Sequence, residues 1–168
     1  MTTFTATQAA ASVNSRRNSH SSGAMSCAYG TYAIAANPVA ADIYKMCKIP
    51  AGARIVGGWC VFDDIDTNGS ETLEFNLGWA DNGGSGTWDA ADADGLGDFG
   101  VTNGDAFAAP SVSATAGNII PFSGVLADGF FPLFTKETTI QLETIATCAT
   151  FTAGQASVAV YYVVEGAA

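Results

Sequence analysis

Leu73, Phe75, Leu77 and Trp79 alternate with Thr72, Glu74, Asn76 and Gly78, so one side of residues 71–79 is apolar and the other is not. A period of two is that of a half-buried β-strand. Residues 138–145 repeat the pattern, with Ile140 and Leu142 inward and Gln141 and Glu143 outward. So do residues 157–165, where Val158, Val160, Tyr162 and Val164 share a face. Residues 54–63 are apolar on both faces (Ile55, Trp59, Val61; Val56, Cys60, Phe62), which predicts a central strand. Gly57-Gly58 inside that stretch marks a bulge or a close backbone approach. Further strands are expected over 31–36, 42–49, 118–125 and 130–134. In 42–49, Tyr44 and Met46 fall on one face and Ile43 and Cys47 on the other. The turns are set by Asn37-Pro38, Pro50-Ala51-Gly52 and Asn68-Gly69. The last predicts a type I′ hairpin between 54–63 and 71–79, because both central residues then need positive φ. A short helix over 105–110 is the one helical expectation.

About eight strands at regular spacing, with turn chemistry between them, predict an all-β chain: a jelly-roll-like antiparallel β-sandwich. The domain covers 27–168. Residues 1–26, rich in Ser, Thr, Ala and Asn without periodicity, read as an extended, flexible N-terminal arm, either disordered or ordered only on a partner. Residues 81–104, acidic and glycine-rich, are too long for an ordinary connection and are expected to form a functional loop at one end of the sandwich.

Composition changes the picture at one point. Charged residues make up 13% of the 168, about half the usual share. A surface so poor in charge suits contact with other protein, so a homo-oligomer or assembly subunit is expected. The net charge of −10 is unevenly spread. Residues 1–54 carry Arg16, Arg17, Lys45, Lys48 and Arg54 against Asp42 alone. Residues 55–168 carry all the other acids against Lys136. Such a body repels nucleic acid, which needs clustered cations to displace counterions. The basic arm, through Arg16 and Arg17, is a candidate contact with an acidic neighbour.

No apolar run reaches the roughly 18 residues of a membrane span, and the first residues lack the basic-then-apolar order of a secretory leader. Cys27, Cys47, Cys60 and Cys148 are scattered without a Cys-x-x-Cys pair, and are expected to be reduced and mostly buried. Zinc chemistry is disfavoured by that spacing, His20 being the single histidine.

Among candidate sites, Asp64-Ile-Asp66-Thr-Asn68-Gly69-Ser70 matches the first half of a calcium loop, with oxygen ligands at alternate positions. The closing bidentate glutamate is missing: the twelfth position is Phe75. An Asx-rich turn explains the same residues. Asp89, Asp92, Asp94 and Asp98 form a second acidic cluster in the glycine-rich segment, and Asp92, Asp94 and Asp98 are its calcium candidates. Trp88, in the same segment, is the candidate exposed platform for a sugar or a partner, whereas Trp59 and Trp79 are expected in the core. Nothing points to catalysis. There is no Gly-x-Ser-x-Gly elbow and no phosphate loop, and a histidine-based triad would have to recruit His20 from the arm. Paired carboxylates for glycoside hydrolysis would need one acid perturbed by burial, of which the pattern gives no sign. No catalytic residue, cofactor or resident metal is expected.

The ordered runs Asp42-Ile43-Tyr44-Lys45-Met46, Lys48-Ile49-Pro50-Ala51-Gly52-Ala53, Phe62-Asp63-Asp64-Ile65-Asp66-Thr67-Asn68-Gly69 and Leu77-Gly78-Trp79 precede a Thr-rich closing strand pair. In this layout the chain, over roughly residues 30–165, resembles small structural proteins of tailed bacteriophages of the head decoration, or capsid cement, type. The resemblance implies a non-enzymatic β-sandwich virion protein, made in the host cytoplasm. It would be added to the capsid surface, bridging neighbouring copies of the major capsid protein against internal DNA pressure. It also implies a homo-oligomer, a trimer more than a dimer, and no membrane or nucleic-acid partner. The competing expectation is a carbohydrate- or receptor-binding module of a virion, assisted by calcium.

Overall fold

The computed structural model describes residues 2–6, 24–68, 72–99, 119–121 and 132–165. Within these lie nine strands: β1 (Thr3–Thr5), β2 (Met25–Ile34), β3 (Ile43–Ile49), β4 (Ala53–Phe62), β5 (Glu74–Trp79), β6 (Asp92–Phe99), β7 (Ile119–Pro121), β8 (Thr138–Ala146) and β9 (Gly154–Val164). They form two sheets, ordered β1-β3-β8-β5-β6 and β2-β9-β4-β7. The antiparallel pairs β2–β9, β3–β8, β4–β7 and β5–β6 are nested one inside the next. A long antiparallel ribbon, folded at β5–β6 and rolled so that alternate pairs fall in opposite sheets, gives this order. It is the jelly roll expected from the sequence. β1 stands outside the nest and is parallel to β3.

The inner faces of both sheets meet in one core. Phe62 of one sheet stacks on Phe75 of the other, with ring centroids 5.6 Å apart, and Tyr44 meets Phe75 edge-on at 6.0 Å. Farther along, Phe134 packs its ring against Trp79 at 5.1 Å. The alternations in β5, β8 and β9 hold: Phe75, Leu77, Ile140, Leu142, Val158, Val160 and Tyr162 are buried. All four thiols are free; Cys47, Cys60 and Cys148 are buried and Cys27 is exposed. Burial pushes the Cys47 thiol up to about 12.

Two β-bulges change which side chains face inward. In β3 the register shifts between Lys45 and Cys47, so Tyr44, Met46, Cys47 and Ile49 are all buried. Strict alternation would have turned Cys47 outward. In β4 the shift lies between Ile55 and Gly57, where Gly57 has φ of 153°. The buried set passes from Ala53 and Ile55 to Cys60 and Phe62, and Trp59 and Val61 turn to the outer face. Gly57 thus marks the bulge, and the expectation of a core Trp59 is corrected by it. An extra residue on one strand flips the parity of everything after it.

Four other expectations are corrected. β4 and β5 lie in different sheets, so residues 63–73 form a crossing, not a hairpin. β4 already has β9 and β7 on its two sides, which leaves no edge for β5. The acidic segment after β5 contains β6, which pairs with β5 through a bulge between Leu77 and Trp79. Its Asp and Gly content hides a strand from propensity. Strand β2 begins at Met25, within the stretch assigned to the arm, and Thr3–Thr5 form β1. Leu133 makes a single bridge to Arg54 where a strand was expected. The helix over 105–110 falls outside the described residues. The Pro50 turn is as read: Ala53 N–H donates to Pro50 O at 3.3 Å and Gly52 takes φ of 73°, a type II geometry.

The β3 bulge brings the Met46 backbone against β2. A Cβ on Gly30 would lie 1.9 Å from the Met46 carbonyl oxygen. Backbone packed between two sheets cannot yield as a side-chain tip would. The Gly30→Ala variant is therefore expected to lose at least about 2 kcal/mol of stability, read as a lowered urea midpoint with an unchanged slope.

Candidate interaction face and the loop carboxylates

Asp66 is buried in the crossing from β4 to β5, and its two oxygens collect five backbone N–H groups. Oδ1 accepts from Asn68 (3.4 Å) and Thr150 (2.9 Å); Oδ2 accepts from Thr72 (2.9 Å), Leu73 (3.3 Å) and Ala149 (3.0 Å). The carboxylate ties the β4–β5 crossing to the β8–β9 loop. Burial by itself would raise its pKa; the hydrogen bonds from Thr72, Thr150, Ala149 and Asn68 together outweigh that and bring it down to about 2. An oxygen pair ringed by N–H donors has no lone pairs left facing a cation. The calcium reading of this loop fails for Asp66, and the Asx-turn reading holds: Asn68 N–H closes on Asp66 two residues back.

Asp89 does the same work at the other end of the roll. It accepts from the Asn82 side-chain amide at 2.8 Å, from Gly86 N–H at 2.7 Å, from Thr135 N–H at 3.0 Å and from the Thr135 hydroxyl. The segment after β5 is thereby pinned to the approach to β8. Burial opposes the charge, but the Thr135, Asn82 and Gly86 donors prevail and hold the carboxyl well below the usual carboxylate range.

The remaining sequence candidates are dispersed. Asp64 is half-buried beside Asp66. Asp92 and Asp94 lie at the start of β6, where burial first, and then a hydrogen bond and the charge of Asp94, raise the Asp92 carboxyl. Asp98 is in β6, paired with Asn76. Among the described residues no three of His, Cys, Asp or Glu gather as a metal site. Trp88 is half-buried, its ring edge-on to Trp79 at 6.2 Å and packed on the core, and is not a free-standing platform. Arg16 and Arg17 lie outside the described residues.

The feature that the alternation pattern missed is the outer face of the β2–β9–β4 layer. Register sets Met25, Val163 and Arg54 in one row; Tyr29, Ala159 and Trp59 in another; Thr31, Ser157 and Val61 in a third. Cys27 stands beside Tyr161. Met25 is 63% and Tyr29 58% exposed, whereas Trp59, Val61 and Tyr161 are half-buried. The Trp59 indole N–H donates to the Tyr161 hydroxyl at 3.0 Å, which ties the two side chains together across the strands. Charge enters only at one corner, where Arg54 pairs with Glu165 at 2.5 and 3.0 Å. The outer face of the other sheet carries Lys45, Lys48, Glu74 and Glu143, all half-buried, and is charged where this one is not. Aromatic and Met side chains with charge excluded from the centre are the composition of a protein interface. The bulge at Gly57 is the signal that would have revealed it, because it is what turns Trp59 and Val61 outward.

No protein-family model matches the chain, and no curated protein matches it by sequence. Solved structures do match. A chain of the capsid of Ralstonia phage GP4 superposes with a TM-score of 0.71 at 19% identity, over 99% of both chains. A chain of the Cyanophage Pam1 capsid asymmetric unit gives 0.63 at 24% identity, over 85% of this chain and 86% of that one. A chain of the acid-stable capsid of Helicobacter pylori bacteriophage KHP30 gives 0.56 at 11% identity, over 87% and 92%. The fold is thus one that phage capsids contain.

Because the folded-state pKa of Asp66 is depressed, its stabilisation is fully present above the unfolded value near 4. It is lost as pH falls through about 2. Asp66→Asn, which sets an NH2 against backbone donors, should destabilise by about 1–3 kcal/mol at pH 7. Between pH 4 and pH 2 its stability should fall less steeply than that of the parent, as measured by denaturant unfolding at each pH.

Proposed function

We propose that this chain is a non-enzymatic structural protein of a phage virion. In this reading it is a capsid decoration, or cement, subunit that binds the outer surface of the head and bridges neighbouring copies of the major capsid protein. The observation that carries the reading is the likeness over 99% of both chains to a chain of the Ralstonia phage GP4 capsid. The apolar outer face of β2–β9–β4 supports it. On a chain of net charge −10, that face is where a large protein surface can close without like-charge repulsion, and we assign it to the capsid protein. Made in the host cytoplasm, the subunit joins the particle as a homo-oligomer, with a trimer favoured over a dimer. The carbohydrate-binding alternative relied on Trp88 as a platform and on calcium held by the acidic loops. Trp88 is packed on Trp79, Asp66 is ringed by N–H donors, and Asp64, Asp92, Asp94 and Asp98 form no group of three acids among the described residues.

The test is addition of purified protein to phage heads assembled without it, followed by sedimentation. Co-sedimentation at saturating stoichiometry, with DNA release on heating moved to higher temperature, is expected. Trp59→Ala and Tyr29→Ala should each weaken binding by about tenfold or more, as truncation of a buried aromatic anchor does. Heads that bind none of the protein, or variants that bind as well as the parent, would overturn the reading.

A further inference from the structure

We propose that the edge of β3 is a strand-exchange site, filled in the assembled protein by residues Thr2–Ala6 of a second copy of this chain. The proposal goes beyond the capsid reading and does not rest on it.

β1 is held by contacts that belong to one short segment and one receiving edge. Ile43 N–H donates to Thr2 O at 2.9 Å, Ala6 N–H to Lys45 O at 2.8 Å, and Thr2 N–H to Oδ1 of Asp42 at 3.0 Å. Asp42 is itself buried, and its Oδ2 accepts from Val39 N–H at 3.1 Å, so the receiving carboxylate is fixed whether or not β1 is present. Between these polar contacts Phe4 stacks on Tyr44, with centroids 4.8 Å apart and planes 12° from parallel, and leans on Tyr32 at 5.8 Å. Ala6 is buried. Backbone pairing plus one aromatic anchor is the anatomy of a peptide strand added to a sheet edge. Without it, the N–H and C=O groups of Ile43 and Lys45 would form an open edge, which sheet proteins avoid.

Topology leaves open which copy supplies the strand. β1 is outside the nested pairs of the roll, so no other strand's register depends on the chain that carries it. Residues 7–24 separate it from β2, a stretch whose contour reaches roughly 60 Å at about 3.3 Å per residue. That exceeds the width of a domain of this size. Charge favours exchange when copies gather: the connecting stretch carries Arg16 and Arg17 and no acid, while residues 55–168 hold fifteen of the sixteen acids. Passing that connection from one acidic body to the next offsets their mutual repulsion. A home strand competes at an effective concentration near millimolar, so exchange prevails where copies are held at comparable density.

Thr5 and Lys45 are register partners. In a Cys27→Ser background, a variant with Thr5→Cys alone is mixed near millimolar concentration with one carrying Lys45→Cys alone, then oxidised. A disulfide formed through exchange depends on the Phe4 anchor, whereas collision of accessible thiols does not. The expected result is a heterodimer on a non-reducing denaturing gel. Its yield should rise with concentration and fall about tenfold with Phe4→Ala, while Phe4→Leu keeps most of it. The double variant, Thr5→Cys with Lys45→Cys, should close within one chain when dilute. Intrachain closure without any heterodimer in the concentrated mixture would overturn the proposal. So would failure of the double variant to close, since the β1–β3 pairing would then be absent. Neither outcome touches capsid binding, which the head-sedimentation assay reads separately.

Discussion

Five backbone N–H groups converge on the carboxylate of Asp66, and one end of the roll is closed by that side chain. A jelly roll needs its connections to pass from sheet to sheet, and a crossing chain leaves N–H groups that no ladder can take. Water would satisfy them on an open loop. Here Ile65 and Leu73 draw the crossing after β4 onto the core, and the buried carboxylate of Asp66 supplies the acceptors. Asp89 repeats the device where the segment after β5 meets Thr135. With both ends pinned, the inner faces of the two sheets are fixed against each other.

This changes the meaning of the chain's acidity. Clusters of aspartate in glycine-rich connections suggest a cation site when only spacing is visible, because carboxylates so concentrated repel one another. In the folded chain two of them face amide and hydroxyl donors instead of one another. The glycines serve that purpose too: a Cβ at Gly84 would lie 2.1 Å from an Asp89 oxygen, so the backbone can close on the carboxylate only there without a side chain. Asp66 and Asp89 belong to the scaffold.

How much of this the sequence revealed depended on whether alternation ran unbroken. In β5, β8 and β9 it largely did, and Phe75, Leu77, Ile140, Leu142, Val158, Val160 and Tyr162 were legible as inward, while Gln141, read as outward, is buried. In β3 and β4 a single bulged residue reversed the parity, and the reversal is a tertiary fact. At Met46 it accompanies the close approach of Gly30; at Gly57 it lets β4 stay paired with β9 while Trp59 turns outward. β6 was hidden because Asp and Gly are poor strand formers, and its pairing comes from β5 rather than from propensity. The strand at Thr3–Thr5 is too short to show a period, and its place is set by Asp42 and Tyr44, forty residues on. The roll was therefore readable, and the outer face of β2–β9–β4 and the β1–β3 pairing, which depend on bulges and on residues distant in sequence, were not.

The central claim is that the carboxylates of Asp66 and Asp89 are held by amide and hydroxyl donors and not by a cation. Thermal unfolding with calcium in excess, compared with the same protein in a chelator, tests it directly, since a ligand bound only by the folded state raises the midpoint. The account predicts coincident midpoints. A rise of several degrees with calcium, abolished by Asp66→Asn or Asp89→Asn, would contradict it.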